Sequence, residues 1–396
     1  MVAAGPAVRT GSRAGAAERT GVGVATGAAA LELLDDEWDR LLHRQRLPNP
    51  TLCATWLRHL ARWDTGLPLV VVAESGGRLV AGAALELHRP TGRFGPALAT
   101  WLGPAEQLQS PDVLVDPGVP RAGEAVLDAV LGVADLLHVA APASGPAARA
   151  LAAVAPWHRA QTIEQRWIVA CPPPRLAYAR RRADCELRWA ERRGAQIDVR
   201  VAREPGDVAV ALEHLFRLHR FRWDGRADLN GRFASTARHR AWNRDAIAAM
   251  AAEGRVRTAE VIENGRTLGA CVGFVAGSGG IAHTQAMRSD GILREPGHIA
   301  LRACVEALGE AEALAVDLSI GGGRPGGPKT RLGSQPEPVL ALFAASSAAR
   351  QRPSEALRRA LVAARSRVSS VWPRATGRAP RRPVPHPRAG RAAPGR

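Results

Sequence analysis

The stretch "RVRTAEVIENGRTLGACVGFVAGSGGIAHTQAM", Arg255–Met287, contains three apolar runs separated by two turn sequences. Asn264-Gly265 and the glycine-rich segment 277–280 favour tight hairpin turns, so the stretch predicts three consecutive antiparallel strands. A helix is predicted next at "PGHIALRACVEAL", from Pro296, because proline is well tolerated in the first helical turn. A further strand is predicted at "LAVDLSI". This order of elements indicates an α/β domain.

The first half of the chain has a similar order of elements. Two helices are predicted at Asp35–Leu47 and Thr51–Trp63, and then two β-rich runs separated by Ser75-Gly76-Gly77. A helix near residues 122–133 and the strand "AQTIEQRWIVA" follow before "CPPP" at Cys171–Pro174. Two copies of this pattern, without strong sequence identity between them, predict a duplicated α/β fold.

These boundaries divide the chain into four parts. We predict a disordered leader at residues 1–28, an N-terminal domain at 29–174 and a C-terminal domain at 175–348. Residues 349–396 are predicted to form a basic helix and a disordered Pro/Arg-rich tail. Most of the net charge of +17 lies in this last part. The tail is expected to contact nucleic acid or anionic lipid weakly and non-specifically, or to act only as a solubilising segment.

The cysteine content and hydropathy bound the class of protein. The five cysteines form no C-x-x-C pair, so we predict neither a disulfide framework nor a metal site. We identify no transmembrane segment and no convincing signal peptide, and we therefore predict a cytoplasmic protein.

Several short motifs in the second half resemble a known family. Their order and spacing are similar to those of GNAT (Gcn5-related N-acetyltransferase) domains, in particular the tandem-GNAT acetyltransferases of cellulose and exopolysaccharide biosynthesis. The related Fem-type aminoacyl transferases are usually tandem GNAT folds too. The motifs are "LHRFRW" (Leu218–Trp223), Phe233, "LGACVGF" (Leu268–Phe274), "PGHIAL" (Pro296–Leu301), "VDLSIGGG" (Val316–Gly323) and "PKTRLG" (Pro328–Gly333). The resemblance implies two tandem GNAT-like domains, each with a mixed sheet flanked by helices, between disordered termini.

The start of the helix at Pro296 is a candidate anion site. The first amides of a helix lack intrahelical partners and lie at the positive end of its dipole. The resemblance implies that this loop binds the pyrophosphate of acetyl-CoA or another acyl-CoA as donor substrate. Gly297 would permit close approach of the backbone, and His298 or Arg294 would add a donor or a charge. An ordinary Pro–Gly turn that begins a helix is the alternative.

Lys329 is the only lysine in the chain and follows a glycine-rich loop. We reject an NTPase phosphate loop here, because Gly333, Pro336 and Pro338 should prevent a helix from following the lysine. Lys329 would then lie in a flexible loop and contact a substrate phosphate or carboxylate, or stabilise an oxyanion. A solvated loop lysine is the alternative. The family often has an aromatic residue where this chain has Pro328, which weakens any role that needs a stacked ring. Further candidate substrate contacts are Asp317, Gly321, Gly322 and Gly323, although Asp317 would equally serve to fix the loop.

Two histidines are candidate general bases, since acylation requires a neutral amine. His219 shares a helix face with Arg222 and Trp223, which are candidate substrate contacts. His283 lies on the third strand of the meander, where strict alternation would place it on one face with Ile281, Gln285 and Met287. Gln285 is a further candidate contact. For both histidines a structural role in the core is the alternative.

Three functions remain open from the sequence. The first is an acyl-CoA-dependent N-acyltransferase that acetylates an amine of a small molecule or of a cell-envelope or polysaccharide precursor. The second is a Fem-type transferase that takes its acyl group from aminoacyl-tRNA. The third is a non-catalytic binding module whose basic tail contacts nucleic acid or membrane.

Overall fold

The computed structural model describes residues 20–63, 66–89, 96–103, 108–155, 157–223, 233–234, 236–320 and 327–346, with only the backbone at 222, 223 and 320. The basic tail, the first nineteen residues and the loop residues Gly321, Gly322 and Gly323 lie outside this part of the chain. None of the helices within it is long and apolar enough to cross a lipid bilayer.

The N-terminal half folds into a mixed set of strands and helices. Its elements are β1 (Gly21–Thr26), α1 (Ala28–Glu32), α2 (Asp36–His43), α3 (Ala54–Ala61), β2 (Leu67–Ser75), β3 (Arg78–His88), β4 (Leu98–Trp101), β5 (Leu114–Val115), α4 (Ala122–Val133), β6 (Leu136–Pro142), α5 (Pro146–Val154) and β7 (Trp157–Ala170). The Asp35 side chain caps α2 by accepting hydrogen bonds from the amides of Glu37 and Trp38. The strand β1 lies within the segment that we predicted to be a leader, because it pairs along its whole length with β2.

The C-terminal half repeats this order. Its elements are α6 (Leu176–Glu191), β8 (Ile197–Ala202), α7 (Pro205–Trp223), α8 (Ala237–Ala252), β9 (Val256–Glu263), β10 (Arg266–Ala276), β11 (Gly279–Met287), α9 (Pro296–Glu310), β12 (Ala315–Ile320), α10 (Pro328–Arg331) and β13 (Gln335–Ala345). The prediction that Lys329 lies in a flexible loop was wrong, because a short helix includes it. Pro328 occupies the first turn of the four-residue helix α10, where its missing amide costs no hydrogen bond.

One continuous sheet joins the two halves in the described part of the chain. Its strand order is β1-β2-β3-β4-β6-β13-β7-β12-β11-β10-β9-β8, with β5 paired to β3 outside this path. The last strand of each half is exchanged: β13 lies between β6 and β7, and β7 pairs with β12. The duplicated α/β architecture is confirmed, and the exchange makes each half complete the sheet of the other.

The faces of the C-terminal sheet have separate cores. Ala270, Val272 and Phe274 of β10 pack in a cluster with residues of α7 and α8. Cys271 and Val275, which alternate with them, belong to a second cluster with α6 and α9. Trp56 of α3 meets Trp242 of α8 with ring centroids 5.1 Å apart, so the first cluster extends into the N-terminal half.

A β-bulge interrupts β11 at His283. Val272 pairs with Thr284 and Gly273 pairs with Ala282, which leaves His283 without an opposite residue on β10. The bulge breaks the alternation of side chains. The prediction that Ile281, His283, Gln285 and Met287 share a face was therefore wrong: the His283 ring lies beside Phe274, whereas a Cβ on Gly297 of α9 would meet Met287.

Candidate functional site

The strands β11 and β12 diverge at the middle of the C-terminal half. They pair in parallel only from Gly279 opposite Ala315 to Ile281 opposite Asp317. The bulge at His283 follows directly, and the rest of β11 continues along β10 alone. The divergence creates a split in the sheet, bordered by the end of β12 and the second half of β11.

Lys329 fixes the end of β12 at this split. Its Nζ donates a hydrogen bond of 2.9 Å to the carbonyl oxygen of Ser319. Ser319 has a φ of 61°, an uncommon backbone conformation for a residue with a side chain. The Asp317 carboxylate accepts a 2.7 Å hydrogen bond from the Ser319 amide. Lys329 and Asp317 thus hold the two backbone groups of Ser319 at the end of β12, whereas the glycine loop that Asp317 was considered to fix lies outside the described residues.

The charges around Lys329 form a network at the centre of the sheet. Arg166 of β7 lies 3.5 Å from Asp317 and 2.6 Å from Glu337 of β13. Burial lowers the pKa of Lys329 to about 8, an effect that the negative charges of Asp317 and Glu164 oppose. Burial also raises the pKa of Asp317, although Arg166 opposes this shift. A lysine in this environment titrates closer to neutral pH than an ordinary lysine does. It is therefore a candidate functional residue.

The helix α10 also contacts the start of α9. Arg331 forms an ion pair with Glu295, the residue that precedes α9, and Glu295 also pairs with Arg182 of α6 at 3.1 Å. Two segments that the sequence singled out separately, around Lys329 and around Pro296, therefore lie next to each other.

A carboxylate of the protein itself lies at the start of α9. Glu186 of α6 accepts hydrogen bonds from the amides of Arg294 and Glu295, the latter at 2.7 Å. The guanidinium of Arg294 lies 5.3 Å from the Trp189 ring centroid. The resemblance implied a phosphate at this loop, and here a side chain of the protein satisfies two of its amides.

The predicted residues at the helix start are buried against the sheet. Pro296, Gly297 and His298 are all buried. A Cβ on Gly269 of β10 would come within 2.6 Å of the Pro296 carbonyl, so the close approach at this place is between the helix and β10. Burial, together with the positive charge of Arg331, lowers the pKa of His298 to about 4.

His283 lies in an aromatic cluster. Its ring is 5.0 Å from Phe274, 5.4 Å from Trp56 and 5.9 Å from Phe233. Neither ring nitrogen has a hydrogen-bond partner among the described residues. Burial lowers the pKa of His283 to about 3, which leaves a weak base enclosed by rings. This environment favours the structural alternative for His283.

The remaining predicted residues lie on other elements than Lys329, namely α7 and β11. His219 is buried on α7, with its ring 5.7 Å from Phe233. Arg222 and Trp223 end the same helix, and their side chains are outside the described part. Gln285 is half-buried and pairs with Cys271 of β10.

A cavity of about 1020 Å³ lies between the two halves and contains none of the residues predicted from the sequence. Its walls come from the segment between α2 and α3, the segment before α4, the starts of α4 and α5, and strands β7, β12 and β13. Arg166 lines the cavity and contacts Asp317, so one ion pair connects the cavity to the split between β11 and β12.

The functional candidate that sequence reasoning missed is Asp112. It lines the cavity just before β5, and its Oδ1 accepts hydrogen bonds of 2.8 Å from the amides of Ala147 and Val113. In the sequence it is one acidic residue before a short strand. Nothing in its neighbourhood along the chain identifies the distant start of α5 as its partner.

Comparisons with known proteins agree with this architecture. Residues 177–325 match the family model for the acetyltransferase (GNAT) domain. Among solved structures, FemX is 12% identical with a TM-score of 0.54, and the match covers 77% of this chain and 94% of that chain. The C-terminal domain of a putative lysylphosphatidylglycerol synthetase from Agrobacterium fabrum is 16% identical with a TM-score of 0.51, covering 85% and 96%. No curated protein matches the sequence at a significant level. The structural similarities establish the fold.

Proposed function

The protein has a GNAT acetyltransferase domain at residues 177–325 and is an acyltransferase of this class, and from this premise we propose that it transfers an acyl group from acyl-CoA to a primary amine. The split between β11 and β12 is the observation that carries the proposal. Its edges beyond Ile281 and Asp317 offer backbone groups that are not used between these two strands. Such an edge can bind the amide groups in the extended arm of an acyl-CoA by main-chain hydrogen bonds.

The reaction follows from the chemistry of a thioester. The neutral amine attacks the acyl carbon, a C–N bond forms, and the C–S bond breaks as the CoA thiolate leaves. The amine loses one proton on the way to the amide, and the leaving thiolate or solvent takes it up. The tetrahedral intermediate carries a negative oxygen, which a nearby positive charge or backbone amide stabilises. Lys329, at the border of the split, supplies the positive charge or holds the Ser319 carbonyl in place.

Release of CoA in the presence of amines tests this proposal. We expect acetyl-CoA and a panel of amino compounds to yield free thiol, and Lys329→Met to reduce the rate at least tenfold. Lys329→Arg keeps the charge but changes its shape, and it separates a charge effect from a positioning effect. Absence of thiol release and of acetyl-CoA binding by the wild type would reject the acyl-CoA donor.

The position of the Glu186 carboxylate favours a second kind of acyl donor. Its carboxylate already accepts the amides of Arg294 and Glu295, and a pyrophosphate at the same place would meet its negative charge. A donor without a pyrophosphate there, such as the aminoacyl ester of tRNA, would not have this conflict.

Glu186→Gln separates the two donors, because glutamine retains an oxygen acceptor for the amides but removes the charge. If acyl-CoA binds at α9, the substitution should tighten acetyl-CoA binding about tenfold, equivalent to roughly 1.4 kcal/mol. Unchanged acetyl-CoA binding together with transfer from aminoacyl-tRNA would establish the second donor.

The acceptor is proposed to be an amine of a small molecule or of a cell-envelope or polysaccharide precursor. The resemblance to tandem-GNAT acetyltransferases of exopolysaccharide biosynthesis supports this setting, and such a precursor would be met in the cytoplasm. The match to a GNAT acetyltransferase domain favours an enzyme over a non-catalytic binding module.

A further inference from the structure

The cavity between the two halves contains both paired and unpaired charges. Arg166 and Glu337 are 2.6 Å apart, and Arg121 and Glu124 are 3.5 Å apart. These pairs line the cavity and neutralise each other. Asp116 likewise pairs with Arg44 at 3.1 Å.

Two opposite charges that line the cavity are not paired in this way. Asp112 forms no ion pair with a side chain in the described part of the chain; its Oδ1 accepts only backbone amides. Arg149 likewise has no carboxylate partner there, and its guanidinium donates to the Ser144 carbonyl oxygen. Both residues line the cavity.

Asp112 and Arg149 are both tied to the start of α5. Asp112 holds the amide of Ala147 in the first turn of α5, and Arg149 is two residues further along this helix. The second carboxylate oxygen, Oδ2, lies against Gly145, where a Cβ would come within 1.8 Å of it. The anchored Oδ1 fixes the carboxylate, so that a ligand has a preorganised acceptor.

We propose that the cavity binds a zwitterionic small molecule, whose ammonium group contacts Asp112 and whose carboxylate or phosphate contacts Arg149, and that this molecule is the acyl acceptor. A volume of about 1020 Å³ accommodates a ligand of small-molecule size. The identification as acceptor rests on the proposed function, whereas the binding itself does not. Arg166 connects the cavity wall to Asp317 at the split, where the acyl group would be held.

The titration of Asp112 supports its role as an ammonium acceptor. Burial raises its pKa to about 7, although the amides of Ala147 and Val113 and the charges of Arg166 and Arg149 oppose the shift. An ammonium binds the ionised carboxylate, so binding should weaken as the pH falls below about 7 and should release a proton near neutral pH.

Calorimetric titration tests the binding with defined probes. β-Alanine carries an ammonium and a carboxylate, and phosphoethanolamine carries an ammonium and a phosphate. Ethylamine, propionate and methyl phosphate carry one of these groups each. We expect at least one zwitterion to bind ten times more tightly than either of its single-charge fragments, and the better one identifies the anionic group.

Three variants identify the site. Asp112→Asn retains an oxygen for the amides of Ala147 and Val113, so the fold should survive while zwitterion binding falls at least tenfold. Arg149→Gln should reduce binding to a similar extent. Glu124→Gln is the matched control, because this cavity carboxylate already has Arg121 as its partner; its binding should stay within twofold of the wild type. A fold check by circular dichroism accompanies each variant.

The outcomes separate the cavity from the reaction. Zwitterion binding that depends on Asp112, without any acyl transfer, would support the site and reject the proposed function. Acyl transfer that Asp112→Asn leaves unchanged would support the function and overturn the cavity as acceptor site. Failure of both zwitterions to bind, or equal binding by the single-charge fragments, would overturn the proposal.

Discussion

The single lysine offers a direct measurement at the residue scale. With 13C-labelled lysine, the protein should give side-chain NMR signals from Lys329 alone, and we expect them to titrate near pH 8 instead of 10.5. Asp317→Asn should lower the midpoint further, because it removes the negative charge that favours the ammonium. A wild-type midpoint above 10 would contradict the buried position at Ser319.

His283 allows a test of its two alternatives. We expect His283→Phe to keep acyl-transfer activity and to raise the free energy of unfolding at pH 7 by about 1 kcal/mol, because the buried imidazole makes no hydrogen bond in the described structure. A general base at this position would instead lose activity on the same change.

The pH dependence of stability adds a second readout for His283. Its folded pKa of about 3 is below the ordinary 6.5, so the unfolded chain binds the proton more readily between these values. Stability should therefore fall as the pH decreases from 6.5 towards 3, and less steeply in His283→Phe. Urea unfolding at pH 7 and pH 5 measures the free energy of unfolding of both proteins. An equal loss of stability between these pH values in the wild type and in His283→Phe would argue against the buried neutral imidazole.

At the residue scale, the sequence singled out Lys329 by its uniqueness and Asp317 by its place at a strand end, and in the structure both contact the backbone of Ser319. It did not identify Asp112 or Glu186. Both act on amides far away in the chain, and hydrogen bonds of this kind depend on tertiary packing that residue types alone do not encode.

At the scale of elements, the approach of α9 to β10 depends on Gly269. We expect Gly269→Ala to destabilise the fold by about 1–3 kcal/mol, because its Cβ would lie 2.6 Å from the Pro296 carbonyl and force the start of α9 outward.

The control is Gly132→Ala on the exposed side of α4. No atom lies within 4 Å of its added Cβ, so alanine should stabilise the helix by about 0.5–1 kcal/mol. Thermal unfolding of both variants measures the contrast. Equal effects would show that Gly269 does not have a tight packing role.

Turn chemistry and apolar periodicity predicted the β9–β11 meander and the helix from Pro296 within a residue or two, because both depend on local preferences. The bulge at His283 was not predicted. It comes from the mutual fit of β10 and β11, and it reversed the faces assigned to Gln285 and Met287. The short helix α10 was missed because Gly333, Pro336 and Pro338 were taken to exclude a helix after the lysine.

At the scale of the whole molecule, the exchange of β7 and β13 should make unfolding a single event. β13 pairs with two strands of the N-terminal half, so a chain that ends at Ser334 should leave β6 and β7 unpaired along one edge and should lose both halves to limited proteolysis.

A chain that ends at Ser346 is the matched control, because it keeps all the described strands and should retain a single calorimetric transition. A shorter chain with an intact, protease-resistant N-terminal half would contradict the interdependence. The duplication itself was predictable from the repeated order of elements. The exchange was not, because it concerns which distant strands pair.

The exchange of strands also bears on how the protein is made. One edge of β6 pairs with β4, and the other edge has no partner strand until β13 has been translated. The strands β6 and β13 are separated by nearly the entire second half of the polypeptide. The nascent N-terminal half therefore keeps an unpaired sheet edge while the second half is translated. We expect a chaperone that shields such edges to raise the yield of native protein.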